Sequence, residues 1–390
     1  NGDDAVLKYT NKFDKVKLTQ DKLLVSKKEF DEAEKLISSE IKTTIEFAKN
    51  NISRFHSEFK KQGMQKDFEP GVSLGSLVRP LSRVGIYIPG GTAPLLSTVL
   101  MTVIPAKTAG VSEIIVVSPP DKNGKINPNI LFACKFCGVD KVFKVGGAQA
   151  IAAMAFGTDT IPKADKIVGP GNIYVTTAKK EVYGYVDIDM AAGPSEIMVV
   201  ADETVDPVWT AYDLMSQAEH DKMASSFLAC FSQEYANKVE EEFNKILKNM
   251  PKQDIIKSSW ENNSAIFIVD DKKQAVDIIN IIAPEHLELM IDNAKDWLAD
   301  IKNAGAVFLG KYTPEAIGDY VAGPSHVLPT TGSARYFSGL NVSDFYKSMS
   351  VISYEKQAFL KHASYASKLA ELEGLMAHRG SVECRKEIAQ

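Results

Sequence analysis

The stretch SQAEHD places Gln217 and His220 three residues apart, with Glu219 between them. It continues the run WTAYDLM, whose pattern is helical, and helix positions three apart share a face. An amide oxygen and an imidazole on one face are two ligand types that zinc accepts. The chain has six histidines. His56 in SRFHSEF and His362 in FLKHASYA read as exposed helix residues without a role. His286 sits in IIAPEHLEL, after a proline and beside Glu285, on a bend between a helix and a short strand. Histidine is the commonest general base, and a carboxylate beside it orients it or activates water. His326 lies in the Gly- and Pro-rich loop IGDYVAGPSHVLPTTG, which also carries Asp319. His378 lies in ELEGLMAHRG, five residues after Glu373.

Spacing alone does not join these groups. Gln217, His220, Asp319 and His378 would make a chemically reasonable set for zinc or manganese, but HExxH does not occur. For Glu285 and His286 a catalytic pair and an ordinary helix-end pair both stay open. For Glu373 and His378 plain solvent exposure stays open too. Cys134 and Cys137 form a CxxC in LFACKFCGV, with no second ligand pair at zinc-finger spacing, so small apolar packing is expected. GAVFLGKY imitates a P-loop but offers Tyr312 where the magnesium-binding Ser or Thr belongs.

Positioning such groups requires a scaffold, and the chain changes texture to supply one. Residues 1–62 are helical in pattern, Lys/Glu-rich with spaced Leu, Ile and Phe. From about residue 84, VGIYI (84–88), EIIVVS (113–118), KVFKV (141–145) and KIVG (166–169) read as strands. Helical stretches fill 92–108, 127–137, 147–155 and 172–183. A second set follows, with strands at 197–202, 225–230, 264–270 and 305–310 and helices at 207–221, 233–249, 271–282 and 292–301. That alternation predicts α/β architecture with parallel sheets and crossover helices. The last 50 residues read as a helical tail without a strand signal. Three Gly-rich turns follow strands of the first set: IPGGTAP (88–94), VGGAQA (145–150) and VGPGN (168–172). None is GxGxxG. A single one is an ordinary βα turn, but three together point to a ligand crevice at the strand ends.

Bulk properties narrow the class. With 390 residues, 45% hydrophobic and 24% charged, the chain is globular in composition and long enough for two or three domains. The net charge of −5 and the lack of a single-sign run exclude a basic nucleic-acid footprint. No apolar run approaches a membrane span. Four cysteines make no disulfide framework, so a reducing, cytoplasmic setting is expected. The chain opens on Asn1 inside an amphipathic helical pattern, so a preceding segment is expected.

Taken in order, the motifs resemble the histidinol dehydrogenase family over nearly the whole chain. The stretches are VGIYIPGGTAPLLSTVLM (84–101), VGGAQAIAAMAFGT (145–158), IVGPGNIYV (167–175), AGPSEIMVVAD (192–202), DLMSQAEHD (213–221), APEHLEL (283–289), IGDYVAGPSHVLPT (317–330) and GLMAHR (374–379). The resemblance implies that Gln217, His220, Asp319 and His378 hold one zinc ion per subunit, His378 coming from the partner subunit. It implies Glu285 and His286 as the acid/base pair. Ser195, His326 and Glu373 match substrate-contacting positions, together with Gln217, His220, His286, Asp319 and His378. Tyr87, Gln149 and Asn172 match positions that contact NAD, in or beside the glycine loops. The implied reaction takes L-histidinol through histidinal to histidine as NAD is reduced, the closing steps of histidine biosynthesis. The implied architecture is two incomplete Rossmann-like domains with parallel sheets plus small helical N- and C-terminal parts, in a homodimer that shares its active sites. The NAD-binding part would span 87–196. A discontinuous domain would combine 1–86 and 197–340, and 341–390 would be a helical tail reaching the partner's site. Two departures stand out: the chain starts later than the family pattern, and GPSH (323–326) replaces a small-polar-Asn-His version beside His326.

Overall fold

The computed structural model describes residues 2–90 and 95–389; residues 91–94 of the first glycine loop lie outside the described residues. Three helices open the chain: α1 (Gly2–Phe13), α2 (Lys27–Lys35) and α3 (Ser39–Ser57). Two strands follow, β1 (Met64–Glu69) and β2 (Val72–Pro80). The first alternation is β3 (Arg83–Tyr87), α4 (Leu96–Ala109), β4 (Glu113–Ser118), α5 (Pro128–Cys137), β5 (Lys141–Lys144), α6 (Gly147–Phe156), β6 (Lys166–Val168), α7 (Ile173–Val182) and β7 (Asp187–Ile188). The second is β8 (Glu196–Ala201), α8 (Pro207–Ala218), β9 (Ser225–Cys230), α9 (Gln233–Leu247), α10 (Gln253–Asn263), β10 (Ala265–Ile268), α11 (Lys272–Ile282), β11 (His286–Met290) and β12 (Ala306–Leu309). A single turn, α12 (Glu315–Ile317), runs into a π-helical turn at Gly318–Ala322. The chain closes with β13 (Tyr346–Tyr354), α13 (Lys356–Leu372) and α14 (Met376–Ala389).

The α/β expectation holds. Each alternation folds into a five-stranded parallel sheet, in the orders β5-β4-β3-β6-β7 and β10-β9-β8-β11-β12. The two orders are the same pattern, each half of a doubly wound sheet, with the topological switch between the first strand and the fourth. The strands read as apolar runs because helices cover both faces. In β8, Ile197, Val199 and Ala201 point into the core shared with α8 and α9, while Met198 and Val200 point into the core shared with α11. Local signals set the helix ends. Asp206 caps α8 through the Val208 N–H with Pro207 at the first position, and Gly110, at φ 89°, ends α4.

The structure forms two compact units. One comprises Asn1–Phe59 and Leu81–Phe345 and contains both parallel sheets. The other comprises Lys60–Pro80 and Tyr346–Gln390, a three-stranded antiparallel sheet in the order β1-β2-β13 with helices α13 and α14. So the tail is not purely helical: it opens with the nine-residue strand β13, and β1 and β2 were not anticipated either. YKSMSVISY alternates too little apolar residue for a strand signal and is defined by its antiparallel register on β2. Helix α10 is likewise additional, and the helix expected at 292–301 is only a 3₁₀ turn at Ala294–Trp297. No helix among the described residues is long and apolar enough to cross a membrane.

Candidate active site

Glu285 and His286 sit at the amino end of β11. Helix α11 ends at Ala283 in the left-handed conformation (φ 53°), Pro284 follows, and the chain enters the sheet at His286. β11 lies between β8 and β12, so His286 is held in register with Ile197 and Ala306. Gly305 makes this close approach possible, since a Cβ there would lie 2.5 Å from the Glu285 carbonyl oxygen.

Both side chains are buried, and the imidazole Nδ1 has two polar neighbours. His286 Nδ1 lies 3.1 Å from the Glu196 carbonyl oxygen and 3.2 Å from Gln217 Nε2. When Nδ1 donates to the Glu196 carbonyl, which only accepts, Nε2 is the free nitrogen of the neutral ring; when Nδ1 accepts from the Gln217 amide, Nε2 carries the hydrogen. Nε2 is buried, has no hydrogen-bond partner and faces Asp319 Oδ1 at 3.6 Å. Glu285 Oε2 accepts the Glu196 N–H at 2.9 Å and lies 3.8 Å from His286 Nδ1. Burial pushes the Glu285 carboxyl up to about 8, against the pull of the His286 charge. Burial disfavours the His286 cation, but Glu285 and Asp319 outweigh it and raise the imidazole to about 10. For Asp319 too, burial raises the carboxyl, yet His286 and His326 hold it below its ordinary value.

Gln217 ends α8 fully buried, with its carboxamide oxygen unpartnered. His220 lies beyond the helix end in a turn, exposed. The shared helix face expected for these two residues therefore stops at Ala218. His326 donates from Nδ1 to the Asp319 carbonyl at 3.1 Å, and its Nε2 meets Thr98 Oγ1 at 3.2 Å. Asp319 and His326 also line a cavity of about 180 Å³ with Phe308, Ile317 and Ser325. Ser195 is half-buried immediately before β8. Glu373 and His378 belong to the other compact unit, where both are exposed.

Sequence reading missed Glu315. It is 3% exposed, accepts from Ser216 Oγ at 2.8 Å, and donates its N–H to Glu288 Oε1 at 2.6 Å. Donor atoms of His286, Glu315 and Asp319 all lie within 4.8 Å of one another. The available signal was its place four residues before Asp319 on one turn. His56, expected to be exposed, is instead fully buried on α3 with neither ring nitrogen partnered. His362 is half-buried and pairs with Glu69 at 2.8 Å. Cys134 and Cys137 are buried in α5 as expected.

The glycine loops lie at the carboxyl ends of the first sheet. Tyr87 ends β3, and its hydroxyl accepts the Gly147 N–H at 3.2 Å. Gln149, in the first turn of α6, has a buried and unpartnered Nε2. Asn172 caps α7, accepting the Tyr174 and Val175 N–H groups. Gly169 (φ 111°) packs so close to Tyr87 that a Cβ would lie 2.2 Å from its carbonyl oxygen. Asp189 accepts the Gly169 N–H at 2.7 Å, Lys179 donates to the Gly169 carbonyl at 3.1 Å, and the two buried side chains pair with each other. Helix α4, which follows the first glycine loop, also reaches the loop that carries His326. Thr98 near the start of α4 touches His326, and Ser325 Oγ donates to the Met101 carbonyl at 3.0 Å.

A switch-point crevice with glycine loops, facing a buried His–carboxylate cluster, defines an α/β oxidoreductase of the dinucleotide-dependent kind. The sequence matches the family described as Histidinol dehydrogenase over residues 1–386. It is 50% identical to histidinol dehydrogenase of Clostridium acetobutylicum over 99% of this chain and 89% of that protein. It is 50% identical to the Aquifex aeolicus histidinol dehydrogenase with the same coverage. The crystal structure of histidinol dehydrogenase from Elizabethkingia anophelis superposes with a TM-score of 0.93 at 40% identity, covering 99% of this chain and 88% of that one. The chain belongs to the histidinol dehydrogenase family, NAD-dependent oxidoreductases acting on a CH–OH group. An acetylating aldehyde dehydrogenase from Geobacillus thermoglucosidasius, at 12% identity and a TM-score of 0.51, shares the fold alone.

Proposed function

We propose that the protein oxidises L-histidinol through L-histidinal to L-histidine, a four-electron reaction, with zinc and NAD bound at the cleft between its two parallel sheets. The observation that carries this reading is the buried, unpartnered Nε2 of His286, set beside Asp319 and Glu285.

Gln217, His220 and Asp319 of this chain would hold the zinc, with His378 donated by a second copy in a homodimer. The donor set fits: the Gln217 oxygen is buried without a partner, and Asp319 is an ionised carboxylate among histidines. When bound, zinc would supply a Lewis-acid anchor that orients the substrate. NAD, held in the crevice of residues 87–196 by Tyr87, Gln149 and Asn172, would supply the hydride acceptor, one molecule for each of the two oxidations. With Asp319 engaged by zinc, the charge that keeps the His286 imidazole protonated would be withdrawn, and its neutral Nε2 would take the proton of the alcohol. Glu285, ionised once the pH passes about 8, then takes a proton from the water that adds to the aldehyde. Ser195, His326 and, from the second copy, Glu373 position the substrate, with 341–390 as the segment that reaches across and 1–86 with 197–340 as the catalytic domain. Closing both oxidations in one cleft shields a reactive aldehyde from solvent. A cytoplasmic setting suits this chemistry.

The test is the NADH formed per L-histidinol consumed, with saturating NAD and added zinc. A ratio of two is expected from two oxidations. A ratio of one would remove the role given to Glu285, and no NADH would remove the substrate.

A further inference from the structure

The N-terminal helix α1 carries an unexplained carboxylate. α1 packs along α6, with Val6 and Leu7 in the core that holds Ala150, Ile151 and Met154. The two helices are antiparallel. At one end Asp3 accepts from Gln20 Nε2 at 2.7 Å and from Thr160 Oγ1 at 2.5 Å, just past the end of α6. At the other end Asp14 closes α1, its N–H donating to the Thr10 carbonyl at 2.9 Å, and Lys15 turns the chain in the left-handed conformation. Asp14 therefore lies at the α6 amino end, where its charge acts on the Tyr87 hydroxyl that receives the Gly147 N–H.

Three polar atoms here have no partner: Asp14 Oδ2, Thr10 Oγ1 one turn earlier, and Gln149 Nε2 in the first turn of α6. All are buried. Nothing in the fold explains them, and an unsatisfied buried group of this kind points to a missing hydrogen-bond partner. A carboxylate accepts and cannot donate, so its partner must bring hydroxyl or N–H groups. Tyr87, on which the Asp14 charge acts, and Gln149 in the first turn of α6 belong to the crevice read as holding the dinucleotide. In such crevices a carboxylate receives the ribose hydroxyls and repels a 2′-phosphate.

We propose that Asp14 is the residue that selects NAD over NADP, by accepting hydrogen bonds from the cofactor's adenosine ribose. The proposal rests on the reading of the first sheet's crevice as the cofactor site. Burial raises the Asp14 carboxyl only to about 6, so at neutral pH it carries the charge the role needs. Lys15 and Lys17 beside it are exposed. Removing the carboxylate leaves those two cations, which favour a phosphate.

The experiment compares kcat/KM for NAD and for NADP at saturating L-histidinol in the wild type, Asp14→Asn, Asp14→Glu and Gln149→Ala. Asp14→Asn should lower kcat/KM for NAD and raise it for NADP, changing the NAD/NADP ratio by roughly 10- to 100-fold, the range of a lost charge-assisted hydrogen bond. The KM for L-histidinol should stay unchanged, and Asp14→Glu should keep most of the preference. An unchanged ratio in Asp14→Asn, with Gln149→Ala still weakening NAD, overturns the role of Asp14 alone. If Gln149→Ala also leaves NAD unaffected, the cofactor crevice itself is misplaced. A melting temperature for each variant separates misfolding, because a fold defect lowers both cofactors' rates together and leaves the ratio alone, which also counts against the proposal.

Discussion

In the first parallel sheet the functional loops leave the carboxyl ends of β3, β5 and β6. In the second the charged groups gather at the amino ends: Glu196 opens β8, Glu285 precedes β11 and His286 opens it. The strand orders are the same, so topology does not account for the difference. Helix polarity does. Carboxyl ends of parallel strands lie beside helix amino termini, whose free N–H groups suit anions such as a pyrophosphate. Amino ends lie beside helix carboxyl termini, whose carbonyls suit cations. The second sheet follows that rule: α8 ends at Gln217 and Ala218, α11 ends two residues before Pro284, and Glu285, Glu196, Glu315 and Asp319 add carboxylates. The first sheet thus offers a wall suited to anions and the second a wall suited to cations.

The largest expected effect tests whether the walls are separable. His286→Asn should lower kcat by roughly 10²–10⁴-fold, the range of a lost general base. Zinc content and the KM for NAD should not move. A comparable rise in the KM for NAD, or loss of zinc, would mean that the second wall also builds the cofactor site. Glu285→Gln should slow aldehyde oxidation more than aldehyde reduction, by roughly 10²-fold. Equal loss in both directions would assign it to binding alone.

The opposite wall has its own weak point. Lys179 and Asp189 are 4% and 0% exposed and grip Gly169 from its carbonyl and its N–H. Lys179→Met leaves Asp189 buried and unpaired, a loss of about 3–5 kcal/mol. It should raise the KM for NAD about tenfold, a displaced loop losing about one hydrogen bond. The KM for L-histidinol should stay put. A parallel rise in both constants would show the pair supporting the whole cleft rather than one loop. The double variant Lys179→Met with Asp189→Leu should recover stability without recovering NAD affinity.

Much of this was legible in the sequence, because both sheets are built from short-range signals. β-branched runs, caps and glycine turns placed most of their strands and helices within a few residues of where they lie, but not β7, α10 or the stretch 292–301. The motif residues on the cation wall were legible only through resemblance. The Gln217–His286 contact joins residues 69 apart, and no spacing rule reaches that far. Glu315 was missed because a lone Glu after a proline looks like a surface cap until the π turn folds it inward. His56 could have been read correctly: Ile45, Ala48, Ile52 and His56 form one helical stripe, and all four are buried. Strand β13 could not, because its residues are mostly exposed and its identity comes from pairing with β2.

The smallest predicted effect sharpens the contrast at the base of the cation wall. Behind Glu315, the buried Glu288 carboxyl is raised well above its ordinary value, by burial first and then by the neighbouring Asp213, itself raised to about 6. A carboxyl whose folded value is raised binds its proton more tightly in the folded chain. It adds stability below the unfolded value, near 4.5, and that stability is lost as pH rises through the folded value. Glu288 therefore acts as a neutral acid, and its Oε1 receives the Glu315 N–H. Glutamine reproduces that shape and that acceptor without a titrating proton. Glu288→Gln should change the melting temperature at neutral pH by only a few degrees, within about 1 kcal/mol. It should keep activity and flatten the decline in stability on the alkaline side. An unchanged pH profile would mean that Glu288 is already ionised in the fold, and that the cation wall carries one more negative charge than its neighbours allow for.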